Sequence, residues 1–153
     1  MDVFDPQSDA WRQVSSMPAA LSYHGGVALD GKIYLMGGLG GAELYLSTAH
    51  VYDPQADSWQ PLANMATGRS SLATAVAGGK IYVIGGETAG GDGGDYIVAT
   101  TEAFDPLLGA WAEVASMSVA RSHHAAAVID GKIYVIGGQG ADGNDLDSAC
   151  RSV

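Results

Sequence analysis

Short apolar runs, joined in pairs by two-residue turns, dominate the pattern of hydrophobic and polar positions along the chain. The turns are Asp30-Gly31, Gly78-Gly79 and Asp130-Gly131, each followed by lysine. Asp-Gly and Gly-Gly are favoured between hairpin strands because both central residues adopt positive φ. The pattern predicts three antiparallel pairs: Gly25–Leu29 with Lys32–Met36, Leu72–Ala77 with Lys80–Ile84, and Ala125–Ile129 with Lys132–Ile136.

These runs are apolar almost throughout and do not alternate with polar residues. Strands of this composition are typical of sheets that are covered on both faces. No stretch of useful length shows helical periodicity. The sequence therefore predicts an all-β protein built from packed sheets.

The strand pairs belong to a unit that the chain repeats three times. Each copy has an aromatic residue followed by Asp-Pro, then a tryptophan six residues after the aspartate and a methionine six residues after the tryptophan. Gly-Lys-Ile-Tyr and a diglycine follow, and the spacing between successive Asp-Pro pairs is 48 and then 52 residues. Such a period indicates a propeller or solenoid, in which each unit buries its core only against its neighbours.

All the length variation falls between the diglycine and the next aromatic-Asp-Pro. The tryptophan precedes the diglycine by 26 residues in every copy, whereas the second glycine precedes the next aspartate by 15 residues in one case and 19 in the other. Surface loops tolerate insertions that framework segments do not, so this loop is the first place to expect function. The diglycines are interpreted as close-packing positions, because no copy continues into the Gly-Lys-Ser/Thr of a phosphate loop.

Gly-Lys-Ile-Tyr-Val-Ile-Gly-Gly, aromatic-Asp-Pro, and Trp and Met at fixed offsets resemble the Kelch repeat over essentially the whole chain. The resemblance implies four-stranded blades of a β-propeller. The segment from Val51 to Met65, followed by Gly68-Arg69-Ser70, is most similar to the Kelch domains of BTB-Kelch proteins, the substrate-recruiting adaptors of cullin ubiquitin ligases. Bacterial Kelch proteins have similar repeats, so the origin stays open.

The resemblance implies three blades' worth of structure, divided into a half-blade, two full blades and a half-blade. We expect strands three and four of a split blade over residues 1–24, full blades over 25–71 and 72–123, and strands one and two plus a divergent tail over 124–153. Propellers usually close with 4–8 blades, and the family commonly has six. We therefore expect a homodimer that closes a six-bladed ring, or else a fragment of a longer chain.

Composition and charge argue against some classes of binding partner. The formal net charge is −10, which argues against nucleic acid and anionic membranes as partners. No apolar run is long enough to span a membrane, and the N-terminus lacks the features of a signal peptide. The single cysteine, Cys150, excludes a disulfide within the chain and favours a reducing compartment, so we expect a cytoplasmic protein.

Alternate turns of an antiparallel meander lie on one face, which brings the diglycine loops beside the segments that precede each hairpin. The loops are acidic and contain no lysine or arginine; Glu43, Asp92, Asp95 and Asp145 are the acids that we select. The facing segments contribute Arg69, Arg121, Tyr23, Ser71 and His123. In the Kelch family this stretch faces the central opening and often contacts partners.

From this set we predict a protein- or peptide-binding face. The acids would attract a basic segment, and the two arginines would clamp a carboxylate or phosphate on it. Because Leu21 fills the equivalent site of the first unit, we expect Arg69 and Arg121 to be dispensable for folding. The alternative is that the acids only solvate their loops.

No metal, cofactor or catalytic set is predicted. The adjacent His123 and His124 would point to opposite faces of a strand, and Leu72 replaces His124 in the middle unit, which favours packing over metal binding. The oxygen-rich segment 142–147 lacks the full calcium-loop pattern. We predict a non-catalytic scaffold, and the alternative is half of a Kelch-type propeller enzyme that acts on a sugar or small molecule.

Overall fold

The computed structural model describes residues 1–41, 44–91 and 93–147, and the backbone of Ala149–Arg151. The strands are β1 (Asp2–Asp5), β2 (Ala10–Gln13), β3 (Gly25–Leu29), β4 (Lys32–Met36), β5 (Ala49–Asp53), β6 (Ser58–Pro61), β7 (Ala73–Ala77), β8 (Lys80–Ile84), β9 (Glu87–Ala89), β10 (Asp95–Ile97), β11 (Thr101–Asp105), β12 (Ala110–Val114), β13 (Arg121–Ser122), β14 (Ala125–Ile129), β15 (Lys132–Ile136), β16 (Gln139–Gly140) and β17 (Ala149–Arg151). Among the described residues, no helix is long and apolar enough to cross a membrane.

Two complete antiparallel sheets form the centre of the molecule. Their strand orders are β3-β4-β5-β6 and β7-β8-β11-β12. The three hairpins expected from the turn residues are confirmed, and Asp30 and Asp130 adopt φ of 49° and 51° at their turns. The second hairpin begins at Ala73, one residue later than expected.

The core lies between these two sheets. Met36, Met65, Ile81, Val83 and Phe104 are buried in one cluster. Burial on both faces explains why the strands are apolar throughout, since each sheet has a neighbour on either side. A smaller cluster around Ile84 and Val135 joins the second sheet to β14 and β15.

The aspartate of each Asp-Pro pair fixes the turn between the third and fourth strands. Asp53 Oδ1 accepts hydrogen bonds from the backbone N–H of Gln55 at 2.9 Å and of Ala56 at 3.3 Å. Its other oxygen lies 3.1 Å from Lys32 Nζ, and Lys80 and Asp105 form the same pair. The lysine bond, followed by the backbone bonds, lowers the pKa of Asp53.

The diglycines mark close approach between successive units. At Gly86, with φ of 99°, a Cβ would lie 2.4 Å from the backbone oxygen of Ser70. At Gly138, with φ of 89°, it would lie 2.4 Å from the backbone oxygen of Ser122. No other residue type fits both the conformation and the space, which accounts for the repeat of these glycines.

The first and last sheets each have a face that no other sheet covers. In the two complete sheets, by contrast, Trp59 and Trp111 donate their Nε1–H groups to the carbonyl oxygens of Ser15 and Ala63 in the preceding unit, at 3.3 and 2.8 Å. Trp11, on the β1–β2 sheet, is 70% exposed. At the other end, Ile136 of β15 is 52% exposed, whereas the equivalent Ile84 is 2% exposed.

The tail adds a third strand to the last sheet. β17 pairs with β15, with Tyr134 opposite Arg151 and Ile136 opposite Ala149. The same register joins Tyr34 to Val51 in the first complete sheet. β17 therefore takes the place of strand three in the last sheet.

Candidate functional site

Tyr23, Ser71 and His123 lie on one backbone ladder that links the three units. The N–H of Ser71 donates to the carbonyl of Tyr23, and the N–H of His123 donates to the carbonyl of Ser71, both at 2.9 Å. All three residues have positive φ, of 53°, 51° and 54°. The repeat therefore fixes their backbones identically while their side chains differ.

His123 is the centre of a polar cluster. Its Nε2 lies 3.1 Å from Ser71 Oγ, and its Nδ1 lies 3.2 Å from Ser122 Oγ and 3.4 Å from Glu87 Oε1. The ring of Tyr23 meets the imidazole edge-on, with centroids 5.9 Å apart. Because the Glu87 carboxylate only accepts hydrogen bonds, the tautomer with its proton on Nδ1 suits this environment, and the Ser71 hydroxyl can then donate to Nε2.

Glu87 is the functional residue that the sequence analysis did not select. It opens β9 directly after a diglycine, at the position that Leu39 and Gln139 occupy in the other units. Its backbone exchanges two hydrogen bonds with Ser70, at 2.8 and 2.9 Å, and its Oε2 lies 3.4 Å from Ser71 Oγ. The sequence signal that could have identified it is its charge, because the equivalent residues of the other units are uncharged.

A cavity of about 370 Å³ opens beside this cluster. His123, Gly138, Gln139, Asp145 and Leu146 line it, so the structure brings the predicted Asp145 and His123 together. Tyr23 and His123 remain accessible, with exposed fractions of 59% and 49%, whereas Ser71 is 8% exposed.

The other selected acids divide into two groups. Asp95 accepts a hydrogen bond from the hydroxyl of Tyr45, and burial together with this bond raises the pKa of Tyr45 to about 12. Glu43 and Asp92 lie outside the described residues.

The prediction that Arg69 and Arg121 clamp a bound anion is wrong, because both side chains are buried, with exposed fractions of 1%. Arg69 Nη1 donates to the carbonyls of Gly85 and Thr100 at 3.1 and 3.0 Å. Arg121 Nη1 donates to the carbonyl of Gly137 at 2.9 Å, which is the equivalent bond one unit later. These guanidinium groups join successive units and do not face a partner.

Glu102 balances the buried charge of Arg69. Its Oε1 accepts from Arg69 Nη2 at 2.8 Å, and Glu102 itself is only 3% exposed. Its carboxylate also accepts the backbone N–H groups of Ala66 at 2.7 Å and Thr67 at 3.2 Å. Burial lowers the pKa of Arg69, and the Glu102 charge opposes that shift.

Ser71, His123 and Glu87 have the connectivity of a nucleophilic triad, in which a hydroxyl contacts an imidazole that contacts a carboxylate. Acyl transfer also needs N–H donors aimed at a developing oxyanion. The N–H groups of Ser71 and His123, the two backbone donors of this pair, are both used in the ladder. These two N–H groups are therefore not available to an oxyanion at Ser71.

Metal ligation has little support in the part of the chain that the structure describes. No group of three or more His, Cys, Asp or Glu side chains there is placed to hold a metal ion. In the oxygen-rich loop, Asp142 accepts hydrogen bonds from the backbone N–H and the side-chain amide of Asn144, at 3.1 and 2.8 Å. Its carboxylate thus organises its own turn.

Comparison with known proteins shows which family these repeats resemble. The sequence model of the KLHDC2/KLHL20/DRC7 Kelch-repeats domain matches residues 1–138. Spermatocyte protein spe-26 of Caenorhabditis elegans is 35% identical over 91% of this chain and 25% of its own length. Kelch-like protein 35 of Mus musculus is 32% identical over 95% of this chain and 24% of its own length.

A solved structure, described as the structure of YjhT, superposes with a TM-score of 0.75 at 25% identity. It covers 84% of this chain, which spans 37% of that structure. The chain spans about a quarter of the length of spermatocyte protein spe-26 and of Kelch-like protein 35.

We predict that Glu102→Gln destabilises the protein by about 3–5 kcal/mol, because it leaves the buried Arg69 charge without its counter-charge. The matched control is Glu113→Gln, since Glu113 lies opposite Glu102 in the β11–β12 register, is exposed, and acts on Arg69 only through its charge, whereas Glu102 forms the ion pair. The control should change stability by less than about 0.5 kcal/mol. Urea unfolding followed by tryptophan fluorescence measures both, and equal midpoints would contradict the assignment.

His124 should make stability depend on pH. It is 9% exposed, and burial with the nearby Arg121 charge lowers its pKa to about 4. In the unfolded chain, histidine has a pKa of about 6.5. Between the folded and unfolded pKa values, the unfolded chain binds more protons than the folded chain, so stability falls as pH falls.

The matched variant is His124→Leu, because Leu72 occupies the equivalent position in the middle unit. From about pH 7 to about pH 4, the parent protein should lose on the order of 2 kcal/mol more stability than this variant. Urea unfolding across this range provides the comparison. Parallel stability curves would show that His124 is not buried in its neutral form.

Proposed function

The chain belongs to the Kelch-repeat family, and from this premise we propose that it is a non-catalytic scaffold that binds a protein or peptide. The binding face is formed by the loops that follow the diglycines and by the segments that precede each hairpin. A reducing compartment such as the cytoplasm suits its single cysteine.

The observation that carries this proposal is the difference in side chains on a common backbone. Tyr23, Ser71 and His123 share φ and the ladder hydrogen bonds, yet they are an aromatic residue, a hydroxyl and an imidazole. Because the fold constrains only their backbones, their side chains are free to determine specificity. Two of the three, Tyr23 and His123, are accessible beside the cavity.

The charge of this face favours a basic partner. Asp145 lines the cavity, Glu87 contacts His123, and Asp95 holds Tyr45 nearby. The net charge of the whole chain, −10, has the same sign. Such acids mainly accelerate association, an effect that added salt weakens.

A propeller enzyme that acts on a sugar or small molecule is the second candidate. The Ser71–His123–Glu87 contacts favour it. Reproducible turnover of a carbohydrate or ester substrate that is lost in a Ser71→Ala variant would replace the scaffold proposal.

For assembly, we propose that two copies associate head to tail in a six-bladed ring. The open face at Trp11 and the open face at Ile136 lie on the first and last sheets, which have only one neighbouring sheet each. In such a ring, β1 of one copy would take the strand-three place beside β15 that β17 occupies here. Ring closure therefore requires β17 to be displaced; the alternative is further blades from a longer chain.

We predict that an array of short peptides will yield basic binders whose affinity falls as salt is raised. His123→Asn and Tyr23→Asn should each weaken these binders about tenfold or more, as expected for central contacts. Asp130→Asn is the matched control, because Asp130 also has positive φ but lies in the turn at the other end of β14. Asparagine tolerates this conformation at all three sites. Equal losses in the control, or selection of acidic peptides, would contradict the proposed face.

Light scattering on the purified chain tests the assembly. Two copies that bury Trp11 and Ile136 should give the mass of a dimer, and Trp11→Ser should shift the population to monomer, because the exposed ring would lose its cover. A folded monomer over the whole accessible concentration range would reject the homodimer.

A further inference from the structure

Glu87 contacts hydroxyl and imidazole groups but forms no ion pair with lysine or arginine among the described residues. We propose that its carboxylate is the subsite for one guanidinium or ammonium side chain of the bound partner. We further propose that His123, once protonated, competes with that side chain for the same carboxylate. The inference rests on the proposed function, since it assumes that a partner binds this face.

The geometry of Glu87 suits an anchoring acceptor. Its backbone is fixed by the two hydrogen bonds to Ser70, and its oxygens face Ser71 Oγ and His123 Nδ1, each at 3.4 Å. Its side chain is 22% exposed, so the carboxylate is partly withdrawn from water yet still reachable. A charge-assisted hydrogen bond is stronger in such a setting than on an open surface.

The surroundings favour a cation with an apolar stem. Asp95 and Glu87 both act on Tyr45, and their charges contribute to the raised pKa of that hydroxyl. Tyr23, beside His123 and 59% exposed, offers an aromatic ring on which the methylene groups or the guanidinium of an arginine can pack.

His123 is the competing cation. The charged groups around it are Glu87 on β9, Asp145 across the cavity, and the buried Arg121. The neighbouring His124, whose pKa is lowered to about 4, stays neutral at mildly acidic pH. A protonated imidazole at 3.4 Å from Glu87 Oε1 pairs with it, so proton uptake and partner binding exclude each other.

The probe is N-acetyl-arginine methylamide, compared with the citrulline analogue, which has the same shape and no charge. Binding is followed by NMR in the full chain through the ring resonances of Tyr23, which contacts His123 and is present in every variant. At about pH 8 the arginine probe should bind at least several-fold more tightly than the citrulline probe, and at about pH 5.5 this preference should be lost.

Two variants and a control test whether the Glu87 carboxylate causes the preference for arginine. Glu87→Gln should remove the preference for arginine while keeping the fold, because Gln139 stands at the equivalent position. His123→Asn should keep the preference and abolish its pH dependence. Glu113→Gln removes the same charge from an exposed site on β12 and should behave as the parent protein.

Three outcomes overturn the inference: equal binding of the two probes, no saturable shift with either, or a preference for arginine that survives Glu87→Gln. Each leaves the proposed function standing if array peptides still bind and still depend on Tyr23. Conversely, loss of all peptide binding with a retained arginine preference would reject the scaffold proposal and leave the cation subsite.

Discussion

The backbone hydrogen bonds between successive units are the constraint on which the rest of the structure depends. Ser71 N–H to Tyr23 C=O, and His123 N–H to Ser71 C=O, join the inner edges of three units that cannot bury a core alone. The same units are also joined by two buried interactions. These are the Arg69–Glu102 ion pair and the hydrogen bond from Arg121 to the Gly137 carbonyl. The residues of the candidate site are thus held by interactions between units.

This arrangement places buried residues that join the units close in sequence to residues of the candidate site. Arg69 is buried and bonded to the next unit, whereas Ser71, two residues later, faces the polar cluster. Arg121 and His123 repeat the division one unit on. The strained φ shared by Tyr23, Ser71 and His123 turns these side chains away from the buried path of the arginines.

Local signals made the strands and turns predictable. Asp130-Gly131 requires positive φ at both positions, so the hairpin that it closes follows from the chemistry of two residues. The burial of Arg69 was not predictable in this way, because its partner Glu102 lies 33 residues away, in the third strand of the next sheet. Glu87 was not selected from the sequence, since nothing local shows that its carboxylate meets a histidine from the next unit.

The ladder of backbone hydrogen bonds holds Tyr23, Ser71 and His123 as a rigid platform with variable side chains. Native-state amide hydrogen exchange tests it most directly, because exchange reports the opening of individual hydrogen bonds. We expect the N–H groups of Ser71 and His123 to exchange as slowly as those of Ile81 and Val83 in β8, at the centre of the second complete sheet. Exchange of Ser71 and His123 at rates typical of exposed loops, with β8 still protected, would contradict it.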